Sequence, residues 1–386
     1  MECVGRPCDW RRARLRYRML VAIGACFCSS LALWAQTSDS QTADANKSWT
    51  ETTDSQSDNL NSTRTVESHT HNGNRTLDNQ SVQRRGSGGQ FEPYQDIEKE
   101  TVKLDANTVK TTTRTFGRDS EGNKTLLQVT EEEKHNLTGG GSSVVRSTSN
   151  PDANGDLLLV QRQIEETKKI SKDVEETKTT VMLPSINGGL APAMQTEERR
   201  ERGANDTVQS QKTTLLPDGA GHWQVGEVQH TTSKQEGKGR TTEEQISRPD
   251  SEGNMGAISR TVSKGSESAS GEKRDTIETY SVDAPGLTRD GSLHLVERAT
   301  TVQHSSPTGQ QTTKKQVEQP TPGEPGSALQ VTTLTVDTVR HDSSSTKATQ
   351  TIETLGANGS LGIVSVDTSN SDKVQAIQIA PSEKSK

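Results

Sequence analysis

Three turns carry oxygen ligands at close spacing. Asp119-x-Glu121-Gly122-Asn123, Asp152-x-Asn154-Gly155-Asp156 and Asp250-x-Glu252-Gly253-Asn254 each gather three carboxylate or amide side chains within five residues. Such donors suit Ca²⁺, but that ion takes about six to eight oxygens, and these loops lack the full EF-hand pattern and its distal bidentate Glu. Backbone geometry explains the same residues: Asp opens a turn well, and Gly accepts positive φ at no steric cost. The spacing predicts hairpin turns and no metal site.

Other candidate chemistry is sparse. Ser344-Ser345-Thr346-Lys347 matches Ser-x-x-Lys, with no Ser-Asp-Asn or Lys-Thr-Gly companion, in a chain rich in Ser and Lys. The histidines (His69, His71, His135, His222, His230, His294, His304 and His341) are scattered, and only His69 and His71 are close. No His-Glu-x-x-His, Gly-x-Ser-x-Gly, Walker-type loop or Gly-x-Gly-x-x-Gly occurs. Glu131-Glu132-Glu133 and Glu243-Glu244 lack an apolar pocket that would raise one carboxylate for acid catalysis, so they read as solvated strand faces. Trp223, between His222 and Gln224, reads as a packing residue rather than a sugar platform. The expectation is no catalytic residue, no cofactor, no metal and no enzymatic activity.

The elements that position these residues recur. A Gly-containing turn followed by a short apolar run appears at Gly122, Gly155, Gly188, Gly219, Gly253, Gly291, Gly326 and Gly359, at intervals of 33, 33, 31, 34, 38, 35 and 33 residues. Such a period predicts a repeat architecture. Thr- and Val-rich segments flank each turn, as in Lys178–Leu183 before and Leu157–Ile164 after. A second, polar turn closes each unit, as at Asn136–Gly141, Gln235–Gly239 and His304–Gly309. Repeated hairpins make an antiparallel meander. Residues Gln163–Thr180 carry Glu165 and Lys169 four apart, as a charged helix would. Their apolar positions Ile164, Ile170 and Val174 make no helical stripe, and the repeat register predicts strand, turn, strand. The turn-then-strand phrase Asp152-Ala153-Asn154-Gly155-Asp156-Leu157 resembles secreted bacterial β-repeat proteins of the YD or RHS type. Beyond Tyr94 the chain has only Tyr280, so the family's tyrosine-packed shell is not implied.

Composition bounds the fold. Only 27% of the 386 residues are hydrophobic and 3% aromatic, against nearly half apolar in an ordinary globule. One repeat unit buries too little to stand alone, so units must support one another. Net charge is −7, mild over this length, which argues against nucleic-acid binding. An outer-membrane barrel of about sixteen strands fits the meander. Its two aromatic girdles do not fit the six aromatics beyond residue 35, so an outer-membrane barrel is not expected.

The N-terminus reads as an export signal. Arg11, Arg12, Arg14, Arg16 and Arg18 precede the apolar stretch Met19–Trp34, and cleavage is expected between Ala35 and Gln36. An uncleaved anchor is one alternative, and lipidation at Cys26 another. All four cysteines (Cys3, Cys8, Cys26 and Cys28) lie in this segment, which leaves no disulfide framework after it. Residues 36–90 are Ser-, Thr-, Asn- and Asp-rich and read as a disordered spacer.

The expectation is therefore an all-β protein with a signal peptide at 1–35, a spacer at 36–90 and a β-hairpin repeat region at 91–386. Eight or so units of about 34 residues would form an elongated meander or solenoid, with Phe91, Tyr94, Ile97, Val102 and Leu104 as its N-terminal edge. The expected function is that of an exported structural or adhesive protein: secreted, periplasmic or at the cell surface. Its β-surface would meet cell-surface or matrix polymers or a second copy, with no nucleic acid and no membrane after signal removal. The alternative is a largely disordered hydrophilic envelope spacer or matrix polymer.

Overall fold

The structure is a computed structural model that describes residues 47–57, 62–86, 88–282, 291–321, 327–341 and 345–375. The chain divides into Met1–Asp44 and Ala45–Lys386. The export segment, its Ala35–Gln36 cleavage site, and Gly326 lie outside the described residues.

Twenty strands follow one another: β1 (Lys47–Ser57), β2 (Ser62–Asn72), β3 (Arg75–Arg85), β4 (Phe91–Lys103), β5 (Thr108–Arg118), β6 (Lys124–Asn136), β7 (Ser142–Pro151), β8 (Leu157–Lys169), β9 (Val174–Pro184), β10 (Leu190–Arg202), β11 (Val208–Pro217), β12 (Trp223–Glu236), β13 (Gly239–Pro249), β14 (Met255–Glu267), β15 (Lys273–Ser281), β16 (His294–Ser305), β17 (Gln310–Gln319), β18 (Gln330–His341), β19 (Ser345–Leu355) and β20 (Leu361–Gln375). Each pairs antiparallel with its chain neighbours, in a single sheet. Alternating Thr and Val supply the strand preference. The 163–180 stretch is strand to Lys169, a turn, then strand from Val174.

The sheet does not remain open. β1 pairs antiparallel with β20, from Trp49 opposite Gln375 to Ser57 opposite Asp367. That ladder turns the meander into a closed barrel. Twenty strands about 4.8 Å apart, tilted near 40°, give a backbone diameter of roughly 40 Å. The expected solenoid is thus corrected: hairpins recur, but they close into one ring instead of stacking along an axis. Closure succeeds because it pairs the two edges that an open sheet would leave unsatisfied. The 36–90 spacer is corrected as well, since β1, β2 and β3 fall within it. Polar side chains suffice there because the strands are held by ladder bonds on both sides. The expected N-terminal edge at Phe91 is no edge either, for β4 lies between β3 and β5.

The barrel has almost no packed core. Among the described residues only Val129 and Ala299 are buried hydrophobics. The two faces differ in exposure. Arg162, Glu166, Lys178, Glu197, Arg199, His230 and Glu243 share one face and are exposed; Gln161, Gln163, Glu165, Glu198, Gln229, Thr231 and Glu244 share the other and are half-buried. Side chains diverge on a convex surface and crowd on a concave one, so the first face is the outer wall and the second lines the lumen.

Candidate functional site

The Gly turns lie at one end of the barrel. Gly122, Gly155, Gly188, Gly219, Gly253, Gly291 and Gly359 all have positive φ, between 75° and 87°. In the Asp119 turn, Gly122 N donates to Asp119 O at 3.0 Å and Asp119 N donates to Asn123 O at 3.1 Å. The Asp119 carboxylate accepts from the Glu121 and Asn123 backbone N–H groups at 2.9 and 2.8 Å. Asp152 and Asp250 do the same. These hydrogen bonds, first of all the backbone one from Asn123, hold the Asp119 carboxyl below its ordinary pKa, and the one from Asn254 does so for Asp250. The turn oxygens thus serve the backbone. Among the described residues no three His, Cys, Asp or Glu side chains group as metal ligands.

The other sequence candidates are dispersed. His69 Nδ1 lies 2.7 Å from Asp78 Oδ1, and its ring stacks on Trp49 at 3.8 Å, in the lumen. His135 lies 2.7 Å from Glu133 on the outer wall. His222 contacts Asp218 in a turn. Glu131 and Glu133 point outward, with Glu132 between them turned to the lumen, where Arg146 binds it. Ser345, Thr346 and Lys347 lie in β19, and Ser344 lies outside the described residues.

Sequence reasoning missed a ring of β-bulges. Nine hairpins carry one extra residue just after the Gly-turn end: Tyr94, Leu127, Val160, Ala193, Gly226, Ile258, Val296, Thr332 and Val364. A bulge increases local twist and bends the strand, which assists closure. The signal was legible: Leu126-Leu127, Leu157–Val160 and Ile363-Val364 are apolar runs that break strict alternation at one fixed distance after the turn.

Around the bulges the outer wall is apolar. Leu126, Leu159, Leu215, Trp223, Val225, Met255 and Ile363 form part of a collar, with Trp223 36%, Met255 45% and Ile363 64% exposed. Cations sit over its aromatics: Lys124 over Phe116 at 4.0 Å and Arg260 over Tyr280 at 5.7 Å. Beyond the collar the outer wall is charged, with ladders such as Lys178, Glu197 and Arg199 against Glu176. The lumen is lined by Thr111, Thr113, Gln163, Thr179, Gln229 and Thr261, among others.

No family model and no curated protein matches the sequence. The chain is similar, at low scores, to several solved structures. Pseudomonas aeruginosa OccK5 (OpdH) is 11% identical, with 86% of this chain and 99% of that one covered, at a TM-score of 0.44. The copper transporter OprC is 6% identical, with 87% and 82% covered, at 0.45. The siderophore receptor PirA from Pseudomonas aeruginosa is 8% identical, with 86% and 81% covered, at 0.47. At such scores the strand pairing of this chain, not the likeness, defines its fold as a closed antiparallel β-barrel.

That closure overturns the expectation of an exported structural or adhesive protein with an extended β-surface. A ring offers no free edge and no elongated sheet. It equally overturns the disordered spacer or polymer over the barrel strands. The expectation of no membrane contact meets an exposed apolar collar, which free solubility does not require. The expectation that too few aromatics rule out a barrel is corrected: the β1–β20 ladder closes the ring without aromatic girdles.

Proposed function

We propose that this chain is a water-filled conduit for small hydrophilic solutes at the cell envelope, and that its collar is the part that meets lipid. The observation that carries this is the β1–β20 ladder, which encloses a lumen walled by Thr, Gln and charged side chains. The collar supports the membrane contact. On β12 it runs from Trp223 to Val228, which at about 2.5 Å of axial rise per tilted residue is ~12 Å. Ordinary membrane barrels carry an apolar band of about 25 Å. The charged wall cannot extend the band, since a Lys or Arg at mid-bilayer costs about 2–4 kcal/mol. The collar therefore suits a locally thinned bilayer, with the charged wall standing in water.

The test is sugar release from liposomes of graded acyl length. Release that rises as the lipid shortens, with a Trp223 fluorescence blue shift absent in Trp223→Phe, is the expected result. No release and no shift in the thinnest bilayers would overturn the proposal.

A further inference from the structure

The collar has a gap at the closure seam. The β1–β2 hairpin carries no register shift, unlike the nine hairpins above. Where other hairpins place Leu or Val, its outer face places Asp54 and Ser62. A trough of about 560 Å³ occupies this gap. Its floor is short and polar: Ser62, Thr349, Thr368 and Asn370. Its ends are cationic, with Lys347 on β19 at one side and Arg64 and Arg85 on β2 and β3 at the other.

The cationic end is pre-arranged. Arg64 is bound by Asp54 at 2.7 and 2.8 Å and lies over Phe91 at 4.4 Å. Arg85 lies 5.9 Å from the same ring, and its Nε donates to Gly89 O at 3.1 Å. Two cations are thus steered to one side, and among the described residues lining the trough one carboxylate, Asp54, offsets them. From β19 to β2 is three strand steps, or roughly 14 Å. A ligand that satisfies both ends carries negative groups about that far apart, with hydroxyls between them to meet the floor.

We propose that this trough binds an acidic oligosaccharide of about four sugars, its carboxylates at Lys347 and at Arg85 beside Arg64, its hydroxyls on Ser62, Thr349 and Asn370. The ligand bridges the N-terminal and C-terminal hairpins, so it binds only the closed barrel and holds the seam shut. Binding to the closed state alone lowers seam opening in proportion to saturation.

The experiment uses the full chain in solution with tetragalacturonate as the probe, read by calorimetry and by amide hydrogen exchange. At a hundredfold excess over Kd, seam-opening exchange of β1 and β20 is expected to slow by about a hundredfold, while β9 and β10 are unchanged. Lys347→Gln and Arg85→Gln are each expected to weaken binding about tenfold, as loss of a charged hydrogen bond does. Lys178→Gln, on a distant ladder, leaves it unchanged. Equal binding of uncharged maltotetraose, equal binding of tripolyphosphate, or wild-type affinity in Lys347→Gln would each overturn the assignment. The trough opens on the outer wall at collar depth, where the conduit proposal puts lipid, so that reading expects the probe to bind the lipid-free chain and not the bilayer-embedded one; equal binding to both would overturn the conduit reading and leave the site standing.

Discussion

Arg64 on β2 grips Asp54 on β1 by two parallel hydrogen bonds, Nε to Oδ1 at 2.7 Å and Nη2 to Oδ2 at 2.8 Å. The side chains are 38% and 44% exposed, so water screens most of the attraction. A double-mutant cycle of Arg64→Gln and Asp54→Asn is expected to give a coupling under about 1 kcal/mol by urea melts. A coupling of several kcal/mol would mean that the pair, rather than the ladder, closes the ring.

The ladder itself is the larger matter. Deleting Leu361–Gln375 removes β20 and leaves both β1 and β19 as unpaired edges. Long open edges template aggregation. The truncated chain is expected to elute as large aggregates in size exclusion. A circular permutant that joins the ends near Trp49 and Gln375, and opens at the Gly155 turn, is expected to remain monomeric with an intact strand signal.

Two glycines separate space from conformation. A Cβ at Gly141 would lie 2.5 Å from the backbone oxygen of Thr167, which cannot yield as a side chain would. At Gly155 nothing lies within 4 Å, but φ is +87°. Gly141→Ala is expected to cost about 1–3 kcal/mol through forced backbone movement. Gly155→Ala is expected to cost about 1 kcal/mol, from φ alone. Thermal melts that reverse this order would show that the β7–β8 approach is looser than described.

Acid should loosen the turns at the collar end. Backbone N–H groups hold the Asp119, Asp218 and Asp250 carboxyls below the ordinary value, through Asn123, Ala220 and Asn254 first. A depressed carboxyl stabilises the fold above its unfolded pKa, near 3.9, and that contribution is lost as pH falls through the folded value. The melting temperature is expected to hold from pH 7 to about 4.5 and to fall below about 4. The triple variant Asp119→Asn, Asp218→Asn, Asp250→Asn should show a shallower fall by circular dichroism. An identical acid profile would place the loss elsewhere.

Local chemistry was readable from the chain alone. Asp152, Asn154 and Gly155 announce a turn whose carboxylate bonds its own backbone, and the structure shows those bonds. Thr179, Thr180 and Val181 announce a strand. The bulges were written in the sequence too, as Leu126-Leu127 and Ile363-Val364, but their meaning depends on which residue stands opposite. The low-complexity residues 47–85 misled for a physical reason: strands held by neighbours on both sides need little apolar burial of their own.

What the sequence determined is the run of strands and turns from Phe91 onward, because these depend on residues a few positions apart. What only the tertiary structure decided is the ring. Glu51 meets Ser371 across 320 positions of chain. That meeting depends on the twist summed over twenty strands and on the bulges carried by nine of the hairpins. The two faces of each strand carry similar polar residues, so alternation could not name the inner one. Closure makes the difference: it crowds Glu165 and Thr231 toward a lumen and leaves Arg199 and Trp223 outside.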